Sequence, residues 1–384
     1  MRLSAVAREL QVLGHDVEVV TAMPNYPTGR IQDRYGRRLR SREVIDGVSV
    51  TRVWLYASMG RGLRRLVSYL SFSAAAMFGL VGRRRPDYVF VESPPLFLVI
   101  PAVLFARLWR AQLVVNVSDL WPDAAVDLGA ISEGRALRLA RRLELWCYAR
   151  ATVINTVTDG IRAAIADRRA PASKIRMLSN GVDTELFRPG GGRPCTLAEL
   201  ELDGECLFLY TGNFGYAQGL DSVIRAAHRA AASEPRLTLG LLGDGSDRAA
   251  LELLVLSLGA TNVRLVPPVP LDKVAEVLPL ATAVIVSLRR LPTNEGARPS
   301  MIFPALASGR PILYAAEGEG AELVADAEAG LIVANDDVAG IAEAMIRLAR
   351  DRSLGDRLGV NGRRLVQDRY SWGAVVGTWV TTLP

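Results

Sequence analysis

Short β-branched runs alternate with apolar-periodic helical stretches along the whole chain, and the series starts twice. EVVTA (18–22), DYVFVES (87–93), QLVVNVSD (112–119) and ATVINTV (151–157) form the first set. FRPGGGRPC (187–195), a Pro/Gly stretch suited to a linker, interrupts it. A second set follows: CLFLYTG (206–212), LTLGLLGDG (237–245), VRLVP (263–267), TAVIVSL (282–288), PILYAA (311–316) and GLIVA (330–334). Strands separated by helices return in the same direction and pair in parallel. The pattern predicts an α/β fold of two Rossmann-like, doubly wound domains, 1–189 and 190–367, with ligands beyond the carboxyl ends of the strands. The length, 384 residues, suffices for two domains, and half the residues are apolar, enough for sizeable cores.

The opening is unusual for this architecture. RLSAVARELQVLGHDV runs from a helix through Gly14 straight into a strand, whereas a doubly wound domain starts with a central strand and a tight turn. The expectation is a first strand upstream of Met1, whose loss would deprive both neighbours of pairing and cover. These first residues do not read as the apolar core of a signal peptide.

Of 46 basic residues only Lys174 and Lys273 are lysines. GC-rich coding alone can produce this bias. Functionally, an Arg-rich chain of pI about 9.5 suits phosphate-bearing substrates or an anionic membrane face. No nucleic-acid-binding motif accompanies the charge, so no nucleic-acid partner is expected. Cys147, Cys195 and Cys206 contain no CxxC pair, which fits a reducing cytoplasm and argues against disulfides or zinc. With His15 and His228 the only histidines, a His-rich metal centre is excluded. LVSYLSFSAAAMFGLVG (66–82) lies between Arg64–Arg65 and Arg83–Arg84–Arg85. It is short against the ~20 apolar residues of a membrane span, and it holds three serines. A buried domain helix is expected there, with an interfacial helix held against an acidic bilayer as the alternative.

Several stretches could carry chemistry. PSMIFPALASGRPIL (299–313) reads as a turn, a short helix, Gly309 and a strand, which aims a helix N-terminus at the crevice above the sheet. A phosphate or diphosphate suits such an end. In TGNFGYAQGLD (211–221), Gly212 and Gly215 let backbone approach a ligand closely, although turns of this kind also arise for packing alone. Gly243 and Asp244 in GDGSD form a second such turn, for which a plain Asp-Gly turn is the stronger alternative. In DLWPDAAVDLGAI (119–131), Asp119 and Asp123 could accept hydrogen bonds from sugar hydroxyls, and Trp121 offers an apolar face to a sugar or lipid. Asp119 as an N-cap, with Pro122 first in the helix and Trp121 in the core, explains the same residues. NGVDTELFRP (180–189) reads as an interdomain turn.

Taken in order, GHDVEVVTAMPNYPTG, SPPLF, DLWPD, NGVDTELF, GNFGYAQGLD, PSMIF with LASGRPI, and GEGAEL resemble the retaining GT-B glycosyltransferases of family 4. The likeness is greatest to the WbuB/WcaI-like branch of surface-polysaccharide assembly. The resemblance covers essentially the whole chain. It implies a metal-independent hexosyltransferase without a cofactor, holding a nucleotide-diphosphate sugar in the second domain and an acceptor in the first. It also implies that the last helix, in 368–384, crosses back to the first domain, and that a Gly-rich loop follows the upstream strand. The implied donor site is Gly212, Asn213, Gly215, Gln218, Gly243, Asp244, Arg298, Ser300 and Met301; Tyr26, Trp121 and Asp123 fall on the acceptor side.

Three positions depart from the family pattern. Asn213 and Gln218 replace an Arg and a Lys found in many members, Met301 replaces a Lys, and Pro304 replaces the Glu that binds the nucleotide ribose. The earlier Glu of that motif falls at Gly296, beside Glu295. Arg298 then remains as the cation for the diphosphate, with the backbone of Ser300 and Met301. Glu295 would take donor sugar hydroxyls, and Asp119 would face the reacting carbon or a nearby hydroxyl; a solvated loop pair is the alternative for Glu295 and Arg298. The implied activity is transfer of a UDP-linked sugar to a lipid-linked glycan by a cytoplasmic protein in peripheral contact with the inner membrane face. The alternatives are transfer to a soluble secondary metabolite, a sugar-nucleotide 2-epimerase, and a degenerate GT-B scaffold partner.

Overall fold

The computed structural model describes residues 2–25, 29–36, 38–58, 63–123, 126, 134–168, 170–202 and 204–384. The chain divides into two units, Met1–Ser179 with Val376–Pro384, and Asn180–Val375.

The first unit carries β1 (Glu18–Ala22), β2 (Arg40–Ile45), β3 (Val48–Val53), β4 (Tyr88–Ser93), β5 (Gln112–Val117), β6 (Val153–Thr156) and β7 (Ile175–Met177). Its main helices are α1 (Arg2–Val12), α2 (Leu63–Leu80), α3 (Val99–Trp109), α4 (Arg135–Arg150) and α5 (Asp159–Asp167). The strands form a three-stranded sheet, β1-β3-β2, and a four-stranded sheet, β4-β5-β6-β7. One doubly wound sheet would require a strand bonded to both β1 and β4, and none is present among the described residues. β2 runs antiparallel to β3, with Ile45 opposite Val48 across Asp46-Gly47, both at positive φ. An Asp-Gly pair between apolar runs is the usual sign of a tight hairpin, so this hairpin was legible in the sequence and was not among the expected strands. Around β4–β6, Val115, Ile154, Cys147 and Ile165 are fully buried and join one core with Leu96, Val99 and Val103.

The second unit is a single parallel sheet of six strands in the order β10-β9-β8-β11-β12-β13. These are β8 (Cys206–Asn213), β9 (Leu237–Asp244), β10 (Val263–Val266), β11 (Ala283–Ser287), β12 (Ile312–Ala315) and β13 (Gly330–Val333). β8, β11 and β12 are nearly continuous apolar runs because helices cover both faces of the sheet. The helices are α6 (Pro194–Glu199), α7 (Leu220–Ala231), α8 (Arg248–Leu258), α9 (Leu271–Val277), α10 (Pro292–Glu295), α11 (Ile302–Ala307), α12 (Glu319–Asp326), α13 (Val338–Arg350) and α14 (Arg352–Leu365). A last helix, α15 (Trp372–Val380), begins among second-unit residues and ends among those of the first.

The unit boundary falls ten residues before the one expected at 189, and the Pro/Gly stretch 187–195 lies inside the second unit. Hydrogen bonding explains the shift. Arg363 donates to the carbonyls of Phe187 (2.8 Å), Ala307 (2.7 Å) and Thr184 (3.0 Å), while Val182 N–H donates to Tyr370 O (2.9 Å). Backbone carbonyls leaving a helix-rich core need donors, and this arginine supplies three of them. The C-terminal segment assigned to the first unit starts at 376, later than 368. Trp379 fixes it there: its Nε1–H donates to Asn155 Oδ1 (2.9 Å), and its ring stands edge-on to Phe90 at 5.9 Å.

Candidate active site

In the second unit, β8 leads away toward β9 while β11 leads toward β12, so their carboxyl ends flank the crevice where an open α/β sheet binds ligands. The loop leaving β8 is held from within. Tyr210 OH donates to Asn213 O (2.8 Å), and Gln218 Oε1 accepts from Gly215 N–H (3.2 Å) and Asn213 Nδ2 (3.3 Å). Gly212 and Asn213 are exposed at its tip. The expected residues Gly212, Asn213, Gly215 and Gln218 therefore belong to one ordered turn.

Gly243 and Asp244 lie beside that turn for a backbone reason. β8 and β9 stay paired to their last residues, Gly212 opposite Gly243 and Asn213 opposite Asp244. A Cβ on Gly243, whose φ is +156°, would stand 1.8 Å from Gly212 O, and one on Gly245 would stand 2.3 Å from Phe214 O. Asp244 Oδ1 accepts from Gly245 N–H (2.8 Å) and closes the turn. Glycine is required here by loop against loop, so these residues shape the crevice floor.

The helix entrance after Ser300 reaches the same crevice. Thr211 Oγ1, at the end of β8, is 2.8 Å from Met301 Sδ. α11 has only six residues, of which Ile302, Phe303, Ala305, Leu306 and Ala307 are buried. Pro304 is half-buried and Ser300 is exposed. A helix this short carries a small dipole, so anion binding at its entrance would depend on individual N–H groups.

Arg298 has a different environment from the one expected of a free diphosphate cation. Its side chain is 7% exposed and pairs with Glu319 at 2.9 Å. It also donates to Tyr370 OH (3.2 Å) and lies 5.9 Å from that ring's centre. The 318–320 turn packs on the same segment: a Cβ on Gly318, at φ +89°, would stand 2.2 Å from Glu295 O. Arg298 thus ties the loop before α11 to α12 and to Tyr370.

Sequence reasoning missed Arg289, a cation just past the carboxyl end of β11. It follows β11, and its N–H donates to Ala217 O (2.7 Å). Its guanidinium donates to Tyr216 O (2.9 Å) and Asp221 Oδ1 (2.5 Å) and lies 4.6 Å from the Tyr216 ring centre. The available signal was position: an Arg-Arg pair directly after TAVIVSL, at the carboxyl end of a strand. Arg289 also lines a cavity of about 150 Å³ with Asn294, Glu295, Glu317 and Asn335. Glu295, expected to meet sugar hydroxyls, is therefore in a concave surface. Asn335 is 7% exposed, and neither its Oδ1 nor its Nδ2 has a partner among the described residues.

In the first unit, Asp119 is exposed at the end of β5. Protein packed around its carboxyl pushes the pKa up, and this desolvation outweighs a hydrogen bond from Leu120 N–H. Trp121 packs on the core around β4–β6 and against Phe97 (6.2 Å between centres). Asp123 pairs with Arg141 (3.2 Å) and with Arg168, which also holds the buried Glu144. Trp121 and Asp123 are engaged by their own unit. Tyr26 and most of 124–133 lie outside the described residues. Among the described residues no group of three or more His, Cys, Asp or Glu is placed to hold a metal.

Residues 1–181 match the glycosyl transferase 4-like domain, and residues 198–365 match the glycosyl transferases group 1 family. The colanic acid biosynthesis glycosyl transferase WcaI of Escherichia coli is 27% identical over 80% of this chain and 77% of its own length. The D-inositol 3-phosphate glycosyltransferase of Frankia alni is 28% identical over 96% of this chain and 89% of its own. Among solved structures, HepE of Anabaena in complex with UDP-glucose has a TM-score of 0.70 at 14% identity, over 95% of this chain and 98% of that one. The structural likeness is one of fold, two Rossmann-like α/β domains.

Proposed function

The chain belongs to the group 1 glycosyltransferases of GT-B family 4, and from that premise we propose that it transfers the sugar of a UDP-linked donor, with retention and without a metal, to a lipid-linked glycan in surface-polysaccharide assembly. The observation that carries the donor reading is the crevice between β8 and β11, where the ordered Gly212–Gly219 turn, Met301 and Arg289 converge. A departing diphosphate needs fixed N–H donors and positive charge; the preorganised turn offers the donors without reorganisation during the reaction, and Arg289 beside it carries the charge. The UDP-glucose complex of HepE supports a uridine donor, and the WcaI likeness supports the acceptor class. Glu295, in the cavity that Arg289 lines, is the carboxylate we assign to the donor sugar's hydroxyls, and Asp119 is the first unit's candidate carboxylate.

Calorimetry with UDP, GDP and ADP tests the donor. UDP should bind, and Arg289→Ala should weaken binding by ~1.5–3 kcal/mol, the worth of a hydrogen bond from a charged group. Arg298→Met should instead lower the melting temperature and leave affinity in place, because it breaks a buried ion pair. A large affinity loss in Arg298→Met would restore that residue as the diphosphate cation. If no nucleoside diphosphate binds, the transferase reading fails and the scaffold alternative stands.

A second acceptor reading has its own support. The likeness to D-inositol 3-phosphate glycosyltransferases spans nearly the full chain and favours a small soluble acceptor. Product formation on a polyprenyl-diphosphate glycan, set against inositol phosphates, separates the two. EDTA should leave turnover unchanged.

A further inference from the structure

Just past β13 the chain sets an asparagine where the spacing of the strand calls for an apolar side chain. Leu331 and Val333 pack on the core beneath α7 and α13, and alternation along an extended chain brings Asn335 to the same face two residues on. Asn335 is 7% exposed, and neither polar atom of its amide has a partner among the described residues. A buried amide left unsatisfied destabilises a fold, so its place here calls for a role outside the fold. The surroundings supply one. Asn335 lines the same cavity as Arg289 and Glu295, whose volume of about 150 Å³ is several times the ~30 Å³ share of one water. Its Oδ1 lies near Gly219, on which a Cβ would stand 3.5 Å away. Gly219 closes the ordered turn after β8, so the amide sits beside the turn assigned to the donor diphosphate.

The other lining groups select among ligands. Both arginines are already paired, Arg289 with Asp221 (2.5 Å) and Arg290 with Glu317 (3.8 Å). Glu295, Glu317 and Asp336 add carboxylates to the wall. An anionic ligand would enter against that charge. A neutral hydroxylated ring suits it, because carboxylates accept from hydroxyls. A carboxamide does more: Oδ1 accepts from one hydroxyl while Nδ2 donates to its neighbour. That double use requires two hydroxyls on adjacent carbons.

We propose that Asn335 determines donor specificity, its amide binding two adjacent hydroxyls of a neutral hexose carried by the nucleotide. This rests on the UDP-sugar reading, and UDP alone is the control that separates the two. Calorimetry on the full chain compares UDP, UDP-glucose, UDP-galactose and UDP-glucuronic acid. A neutral hexose donor should bind, and UDP-glucuronic acid at least about tenfold more weakly, since like charges would meet in the cavity. Asn335→Leu, close in volume, should weaken the neutral donor about tenfold or more and leave UDP within about twofold, because only the sugar loses its hydrogen bonds. The same variant removes a buried unsatisfied amide, so the ligand-free protein should melt ~2–4 °C higher. Asn335→Ala, which brings no bulk, should repeat the split between UDP and the sugar donor. The proposal is overturned if both variants bind the neutral donor as the parent does, or if UDP and the sugar donor weaken alike. Preference for UDP-glucuronic acid, or binding of UDP with neither neutral donor, would also overturn it. So would a lower melting temperature in Asn335→Leu, by giving the amide a partner in the fold. If UDP itself does not bind, the donor reading fails first and this proposal falls with it.

Discussion

Single residues here divide by what surrounds them more than by type. Three cysteines look alike in the sequence, yet Cys147 and Cys206 are buried and Cys195 is exposed. Burial, aided by the charge of Glu144, pushes the Cys147 thiol up to about 12, so little thiolate forms near neutrality. A thiol reagent at neutral pH should therefore modify one cysteine quickly, with the other two released only by denaturant; mass mapping should place the label on Cys195. Glycines divide the same way. Gly243→Ala must push Gly212 O aside and should cost about 1–3 kcal/mol or more, with a matching loss of UDP affinity as the β8 turn shifts. Gly259, at φ +61° with open space around it, should cost only the ~1–2 kcal/mol of a left-handed residue and leave affinity alone. Equal effects at the two sites, by thermal melting and calorimetry, would mean the Gly243 contact does not govern the turn. Arg298 and Arg289 show the same limit. Both are plain arginines in the sequence, and only the placement of Glu319 and Tyr370 around the first, and of Asp221 and Tyr216 around the second, reveals what engages each.

At the scale of elements, strand and helix positions in the second unit followed from periodicity and turn residues. TAVIVSL and PILYAA gave β11 and β12 because buried parallel strands leave no ambiguity about their faces. The hairpin β2–β3 shows how a strand pair is missed when alternation is weak: RSREVI is polar enough to read as a loop unless Asp46-Gly47 is weighted. Helix ends carry their own test. The Asp351 carboxylate caps α14, accepting from Leu354 N–H (2.9 Å) and Ser353 Oγ (2.7 Å), and these bonds hold its pKa below the usual carboxylate value. A depressed carboxylate stabilises the fold above its unfolded pKa, about 3.9, and that contribution is lost as pH falls through the folded value. Asp351→Asn keeps a cap oxygen that does not titrate. The parent should be more stable than Asp351→Asn near pH 7, and the difference should close under acid. Parallel stability curves down to low pH would remove Asp351 from the acid response.

At the scale of the whole molecule, the first unit is not continuous in sequence. Its last piece, Val376–Pro384, is held by the buried Trp379, whose Nε1–H donates to Asn155 and whose ring stands edge-on to Phe90. Trp379→Ala should destabilise the first unit by about 3–5 kcal/mol, the range for emptying a large aromatic site, and should open residues before Ser179 to protease first. Cleavage that begins in the second unit would contradict this. The sequence by itself determined the class: two α/β series, the strand count of the second sheet, and a chain of motifs specific enough to imply group 1 glycosyltransferases. Those features are local, set by side-chain period and by turn chemistry that neighbouring residues decide. What only the tertiary structure decided is which polar groups are already satisfied. It moved the unit boundary to Asn180 through Arg363, closed Arg298 onto Glu319, brought Arg289 to the crevice, and turned the apolar stripe of α2 outward. Each depends on partners distant in sequence. Hydrogen bonding and burial are properties of the assembled neighbourhood, and no window of sequence contains it.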